Sequence, residues 1–293
     1  MVSRRLFLAQ SLLFLGGCAL TRSTQKNQSD KLVIGGVAYG EGTKSIDQYQ
    51  RFIQYLGNRV KALIELEPAY NEVKALEQIE RQVWSLVFAP AGLAAIATSR
   101  HRYVPLFSLQ GVTNLHSVLV VAKNSPIQKL TDLNGKRIAL GQPGSATGYY
   151  VPLYDLYGIS LAEILISATP KGVLEKVSKG EVTAGALAQD EFERYRSEFS
   201  EMPLRILQTS RRIPPGSVLI SPNVESRQRD LIQQAMNEAL PSIAQEVGYI
   251  PNAPVPDYQT LTGFIDKVKP IEDQVSQKPA QLYKTAAEKK VSP

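Results

Sequence analysis

Ser117-Val-Leu-Val-Val-Ala-Lys-Asn-Ser125-Pro126-Ile127, Leu130-Thr-Asp-Leu-Asn-Gly-Lys136-Arg-Ile-Ala-Leu140 and Gln142-Pro-Gly-Ser-Ala-Thr-Gly-Tyr149 form the stretch whose reading decides the fold. Ser117 to Ala122 is a continuous apolar run, the pattern of a strand buried on both faces. Leu130 to Lys136 reads as a short helix ended by a glycine cap. Arg137 to Leu140 is a second strand, and Gly141 to Gly148 is a loop that opens into a helix through Leu156. Strand, loop, helix is one βα unit, and the question is whether the rest of the chain repeats it.

It does on both sides. Upstream, strands over Leu32–Ala38, Leu63–Leu66, Ser85–Ala89 and Tyr103–Leu109 alternate with helices over Ser45–Val60, Asn71–Val83 and Ala91–Thr98. Asn71 is placed to N-cap the second helix. Downstream, strands at Leu165–Ile166, Val182–Ala188 and Leu204–Gln208 alternate with helices over Val173–Lys179 and Glu191–Phe199. After Ile213-Pro-Pro-Gly216 come a strand at Ser217–Ser221, an amphipathic stretch over Gln228–Val247 and a last helix over Tyr258–Val268. Pro241 kinks the long stretch or divides it in two. Such alternation predicts open, mainly parallel sheets with helices on both faces. It also predicts two lobes, the second inserted into the first: 31–116 plus 214–273, and 117–213. A charged, frayed tail is expected over 274–293.

The N-terminus reads as an export signal over 1–17. Arg4 and Arg5 precede a short apolar run, then Leu15-Gly16-Gly17-Cys18. The run is short of the ~20 residues of a membrane-spanning helix. Leu-Gly-Gly-Cys resembles the lipobox of bacterial lipoproteins, which implies a lipidated Cys18 at the mature N-terminus. The polar segment 18–30 reads as a flexible tether. Ser3-Arg4-Arg5-Leu6-Phe7-Leu8 also resembles the twin-arginine motif, and the choice of export route stays open.

Cys18 is the one cysteine in the chain, so the body contains no disulfide and relies on its core. Hydrophobic residues at 43% and charged residues at 20% are values of a globular protein. The formal charge of +6 favours an anionic ligand, but the basic residues are scattered, which argues against nucleic acid. His101 and His116 are far apart in sequence, so neither a metal centre nor a cysteine–histidine catalyst is expected.

The opening stretch, with Ile206-Leu-Gln-Thr-Ser210-Arg-Arg-Ile213-Pro214, resembles the phosphonate/phosphite/phosphate-binding component of ABC importers. The resemblance runs in order over roughly Leu32 to Val247. It implies a type II periplasmic-binding-protein fold, two α/β lobes joined by two crossing strands. It implies capture of a small oxyanion between the lobes, delivery to a permease and ATPase, a periplasmic or extracytoplasmic location, no cofactor and no catalysis. A monomer is expected. A sensor or adaptor lipoprotein on the same fold, or a different small anion such as sulfonate, is the alternative.

Gly141 to Tyr149 carries the candidate site. A helix start exposes backbone N–H groups and the positive end of the dipole, and glycines let a ligand approach. Ser145 and Thr147 add hydroxyls, and Gly148 and Tyr149 complete the segment. On the residues alone, a capped helix start without a ligand explains the pattern equally well; the resemblance favours binding. Relatives carry Ser-Thr-Ser-Gly here, so Ala146 removes one hydroxyl. The segment lacks the Gly-Lys-Ser/Thr ending of a nucleotide loop. Tyr39, at the end of the first strand, and His116, at the first crossing, are each either a ligand donor or a structural residue. Asp190 reads first as the N-cap of the helix from Glu191. The resemblance implies in addition that it faces the ligand, which would then retain a proton or carry an amine.

Overall fold

A computed structural model describes residues 31–37, 42–111 and 114–283, with 42–46 described as helical backbone alone. The signal and tether expected over 1–30, Cys18, Tyr39 and the tail beyond 283 lie outside the described residues. The first elements are β1 (Lys31–Val37), α1 (Gly42–Val60), β2 (Leu63–Ala69), α2 (Glu72–Glu80), β3 (Leu86–Ala89), α3 (Ala91–His101) and β4 (Val104–Leu109). Next come β5 (Ser117–Ala122), β6 (Arg137–Leu140), α4 (Val151–Asp155), β7 (Ser160–Leu161), β8 (Glu163–Ile166), α5 (Pro170–Ser178), β9 (Ala184–Ala188), α6 (Gln189–Tyr195) and β10 (Leu204–Thr209). β11 (Ser217–Ile220), α7 (Ser226–Asn237), α8 (Pro241–Val247), β12 (Tyr249–Ile250), α9 (Gln259–Val268) and β13 (Ala280–Gln281) complete the order.

Two main sheets result. One has six strands in the order β12-β4-β11-β3-β1-β2, the other five in the order β10-β5-β9-β6-β8. They are mixed, not mainly parallel. β1 runs parallel to β2 and β3, and β6 parallel to β8 and β9, as βαβ crossovers require. β11 is antiparallel to β3 and β4, and β5 antiparallel to β9 and β10. β5 and β11 are the strands that follow each passage of the chain from one sheet to the other. Each enters from the opposite side, which reverses its direction. Local periodicity carries no sign of this, because a strand has the same pattern either way.

The two passages lie side by side. Leu115 and Ile213 form an antiparallel bridge, with the Ile213 N–H donating to the Leu115 carbonyl at 2.8 Å. The Ser210 N–H donates to the Ser117 carbonyl, and the Ser117 N–H to Ser210 Oγ, both at 2.9 Å. α1, α7 and α8 cover one face of the six-stranded sheet, where Phe52, Phe88, Phe107 and Tyr249 are buried in edge-to-face and tilted contacts. Burying each such ring stabilises the fold by about 1.5–3 kcal/mol. α5 and α6, the latter through Phe192, cover the second sheet over Val118, Val120 and Leu187.

Pro241 divides the predicted long helix. It opens α8 at the first helical position, where a missing N–H costs nothing. The predicted helix over Leu130–Lys136 is a single 3₁₀ turn, Leu130–Leu133, with Gly135 at φ +69° beyond it. The expectation of fraying from Gln274 fails for residues 274–283. β13 pairs antiparallel with β7, and Ala280 and Leu282 are fully buried. The polar, glutamine-rich composition there hides two apolar side chains at alternate positions.

Candidate functional site

A cavity of about 170 Å³ opens between the two sheets. That is small beside the roughly 300–1,000 Å³ of a drug-sized pocket, so the space fits only a molecule of few heavy atoms. Its walls come from the segments that follow the carboxyl ends of β2, β3, β6, β8 and β9, where ligands of open α/β sheets bind. The first sheet contributes Glu72 and Pro90–Gly92; the second contributes most of Gly141–Gly148, Ser167–Pro170, Asp190 and Glu191.

The helix start departs from the α-helix expected there. Ala146–Tyr150 is a π-helical turn that runs into α4. Pro152 accounts for the widening. It has no N–H to give the Gly148 carbonyl four residues back, and its ring would collide with it. The Gly141 N–H takes that carbonyl instead, at 2.9 Å, and the Val151 N–H reaches back five residues to the Ala146 carbonyl. A single π turn of this kind recurs at functional sites. Ser145 is the N-cap: its Oγ accepts from the Gly148 N–H at 3.0 Å, which leaves its own hydroxyl proton to donate. Ser117 Oγ donates to the Thr147 carbonyl at 2.6 Å and ties the turn to the start of β5, beside the first passage between the sheets. The N–H groups of Ala146 and Thr147 stand in the first turn, where a helix offers no partner.

Ser145, Ala146, Thr147, Gly148 and Asp190 therefore meet at one cavity. Tyr149 does not line it. Its ring is buried in the core, edge-on to Tyr150 at 5.0 Å. His116 does not line it either. Its Nδ1 lies 2.8 Å from the Ser210 carbonyl and donates to it, while its own carbonyl accepts from the Gln189 N–H, so it staples the two passages. Its neighbour Leu115 reaches the cavity wall instead.

Asp190 is not the N-cap. α6 begins one residue earlier, and the Glu191 carboxylate accepts from the Ala188 N–H at 3.0 Å, leaving Asp190 inside the first turn. Asp190 Oδ1 is buried without a hydrogen bond, as is Gln142 Oε1 on the same cavity wall. Asp190 Oδ2 is 4.0 Å from Arg194. Burial pushes the Glu191 carboxyl up to about 7; Asp190 and Glu72 add to this, and the Ala188 N–H and Arg194 oppose it. The site thus joins donors at one helix start to carboxylate acceptors at another, and none of its described lining residues is Lys, Arg or His. Sequence reading missed Glu72, Gln142 and Glu191. Their one common signal is position, a few residues past the end of a strand.

Two mixed α/β units with a cavity between them define the type II periplasmic-binding-protein fold. The chain belongs to the family described as the periplasmic substrate-binding protein of phosphonate ABC transporters, whose sequence model matches residues 34–244. No curated protein sequence matches. Among solved structures, the chain is similar to XAC2383 from Xanthomonas citri bound to ATP, at 19% identity, TM-score 0.69, over 83% of this chain and 99% of that one. It is similar to a binding-protein component of an ABC phosphonate transporter (PA3383) from Pseudomonas aeruginosa, at 14% identity, TM-score 0.65, over 84% and 88%. PhnD1 from Prochlorococcus marinus in complex with methylphosphonate matches at 15% identity, TM-score 0.66, over 82% and 99%. At such identities the likeness establishes the fold. Among the described residues, no helix is long and apolar enough to cross a membrane.

Proposed function

We propose that this protein is the membrane-anchored solute-binding lipoprotein of an ABC importer. It captures a small oxyanion (phosphonate, phosphite or phosphate) between two lobes and hands it unchanged to the permease. In this reading residues 31–116 and 214–273 make one lobe and 117–213 the other, and the protein acts as a monomer. Lipid on Cys18 holds it at the extracytoplasmic face, since several acyl chains anchor firmly where one does not.

The cavity bordered by the unpaired N–H groups of Ala146 and Thr147 carries the reading. Those groups, with the Ser145 and Thr147 hydroxyls, suit the several acceptors of a tetrahedral oxyanion. Asp190, which lines the same cavity, repels a fully ionised guest, so the preferred ligand keeps a proton or carries an amine. PhnD1 from Prochlorococcus marinus, on the same fold, was solved with methylphosphonate.

A thermal-shift screen of the exported chain with Cys18→Ser tests this. Phosphate, phosphite, methylphosphonate, 2-aminoethylphosphonate and methanesulfonate are the probes, and a true ligand raises the melting temperature. The double variant Ser145→Ala with Thr147→Ala is expected to abolish the shift. A shift that survives in the double variant removes the helix-start site.

A further inference from the structure

We infer that Gly92 is the closure stop of the cleft: its missing side chain lets the first turn of α3 meet the Gly144–Ala146 backbone, and so sets how far the two lobes shut over their guest. A Cβ added at Gly92 would lie 2.2 Å from the Gly144 carbonyl oxygen, 3.1 Å from its carbon and 2.6 Å from the Ala146 nitrogen. All three are backbone atoms, so no rotamer change relieves the collision. Gly144, at φ +107°, is approached by the first sheet a second time: a Cβ there would lie 2.7 Å from Glu72 Cβ. Gly92 and Gly144 both line the cavity. The contact therefore borders the bound ligand and fixes the height of its space.

Local preference does not explain this glycine. Gly92 stands inside an α-helix otherwise rich in alanine, where alanine is the favoured residue. The reason is tertiary, and it concerns two units joined by the paired passages near Leu115 and Ile213. A methyl group at residue 92 is accommodated by holding the units apart, with each unit intact.

The inference rests on the proposed binding function, and the test separates the two. Gly92→Ala and, as a control, Gly263→Ala are made in the exported chain with Cys18→Ser. Gly263 lies in α9 with nothing within 4 Å of an added Cβ. Gly263→Ala favours the helix and does not lower the melting temperature, whereas Gly92→Ala gives up packing between the units and is expected to lower it while the protein still unfolds in one cooperative transition. Titration calorimetry with the same five oxyanions is expected to show at least tenfold weaker binding for Gly92→Ala and none of that loss for Gly263→Ala. Small-angle scattering without ligand is expected to give a larger radius of gyration for Gly92→Ala alone. A Gly92→Ala protein that binds as tightly as the parent, that keeps the parent's radius, or that fails to fold overturns the closure stop. A parent that binds none of the probes instead removes the proposed function, and the ligand-free radius still decides the role of Gly92.

Discussion

Thr147 and Glu191 show two kinds of polar residue in one cavity. The Thr147 hydroxyl lines the cavity and bonds no described residue, so it contributes nothing to the fold that its loss would remove. Thr147→Ala is expected to leave the melting temperature unchanged and to weaken oxyanion binding by about 1.5–3 kcal/mol, tenfold or more; calorimetry against thermal unfolding separates the two. Glu191 behaves in the opposite way. Its carboxyl titrates at about 7 in the folded chain, above the 4.5 of the free group. The folded state thus holds the proton more tightly. Its contribution is complete below pH 4.5 and is lost as pH rises through 7. Glu191→Gln is expected to flatten the decline in stability between those limits by about 1–3 kcal/mol, read from urea unfolding at several pH values. A decline of equal size in the variant would remove Glu191 as its source. Of these two residues the sequence marked Thr147 alone. Asp190 took Glu191's place as the expected cap, because both follow the strand and only the folded chain decides which carboxylate turns back to the Ala188 N–H.

At the scale of elements, the C-terminal segment differs most from its sequence pattern. α9 begins where Tyr258 Oη donates to the Pro215 carbonyl, beside the second passage between the sheets. It packs against α3 on one side and against α4 on the other, where the Phe264 and Tyr154 rings lie 4.4 Å apart. The chain then reaches β7 of the second unit through β13, with the Gly158 N–H donating to the Leu282 carbonyl at 2.7 Å. A frayed tail could be removed without effect. Ending the chain at Gln274 is expected instead to cost about 2–5 kcal/mol through the lost burial of Val275, Ala280 and Leu282, measured as a lower urea midpoint. An unchanged midpoint would return the segment to the status of a tail. The π turn at Ala146 teaches a related lesson. Gly141, Pro152 and the capping Ser145 were all visible in order, but the exchange of hydrogen-bond partners that widens the turn follows only once β6 brings Gly141 beside Gly148.

At the scale of the whole molecule, the proposed lipid anchor and the proposed closure of the cleft would set where and how the protein works. Cys18→Ser is expected to move the exported protein from the membrane fraction to the soluble fraction, with ligand binding intact. Persistent membrane association in that variant would rule out the thioether anchor. Most strand and helix positions, the two-sheet order and the loop-to-helix segment Gly141–Gly148 were legible in the chain because each depends on neighbours a few residues away. Apolar periods of two and of about three and a half, glycine ends and a capped helix start are local properties, and they announce themselves in any linear reading. Strand direction after each passage, the carboxylates Glu72 and Glu191 in the cavity wall, and the burial of Tyr149 away from it were settled by tertiary structure. Each is a juxtaposition of segments distant in sequence, and the free energy that decides it, shared burial and mutual charge, exists only after the two units have come together.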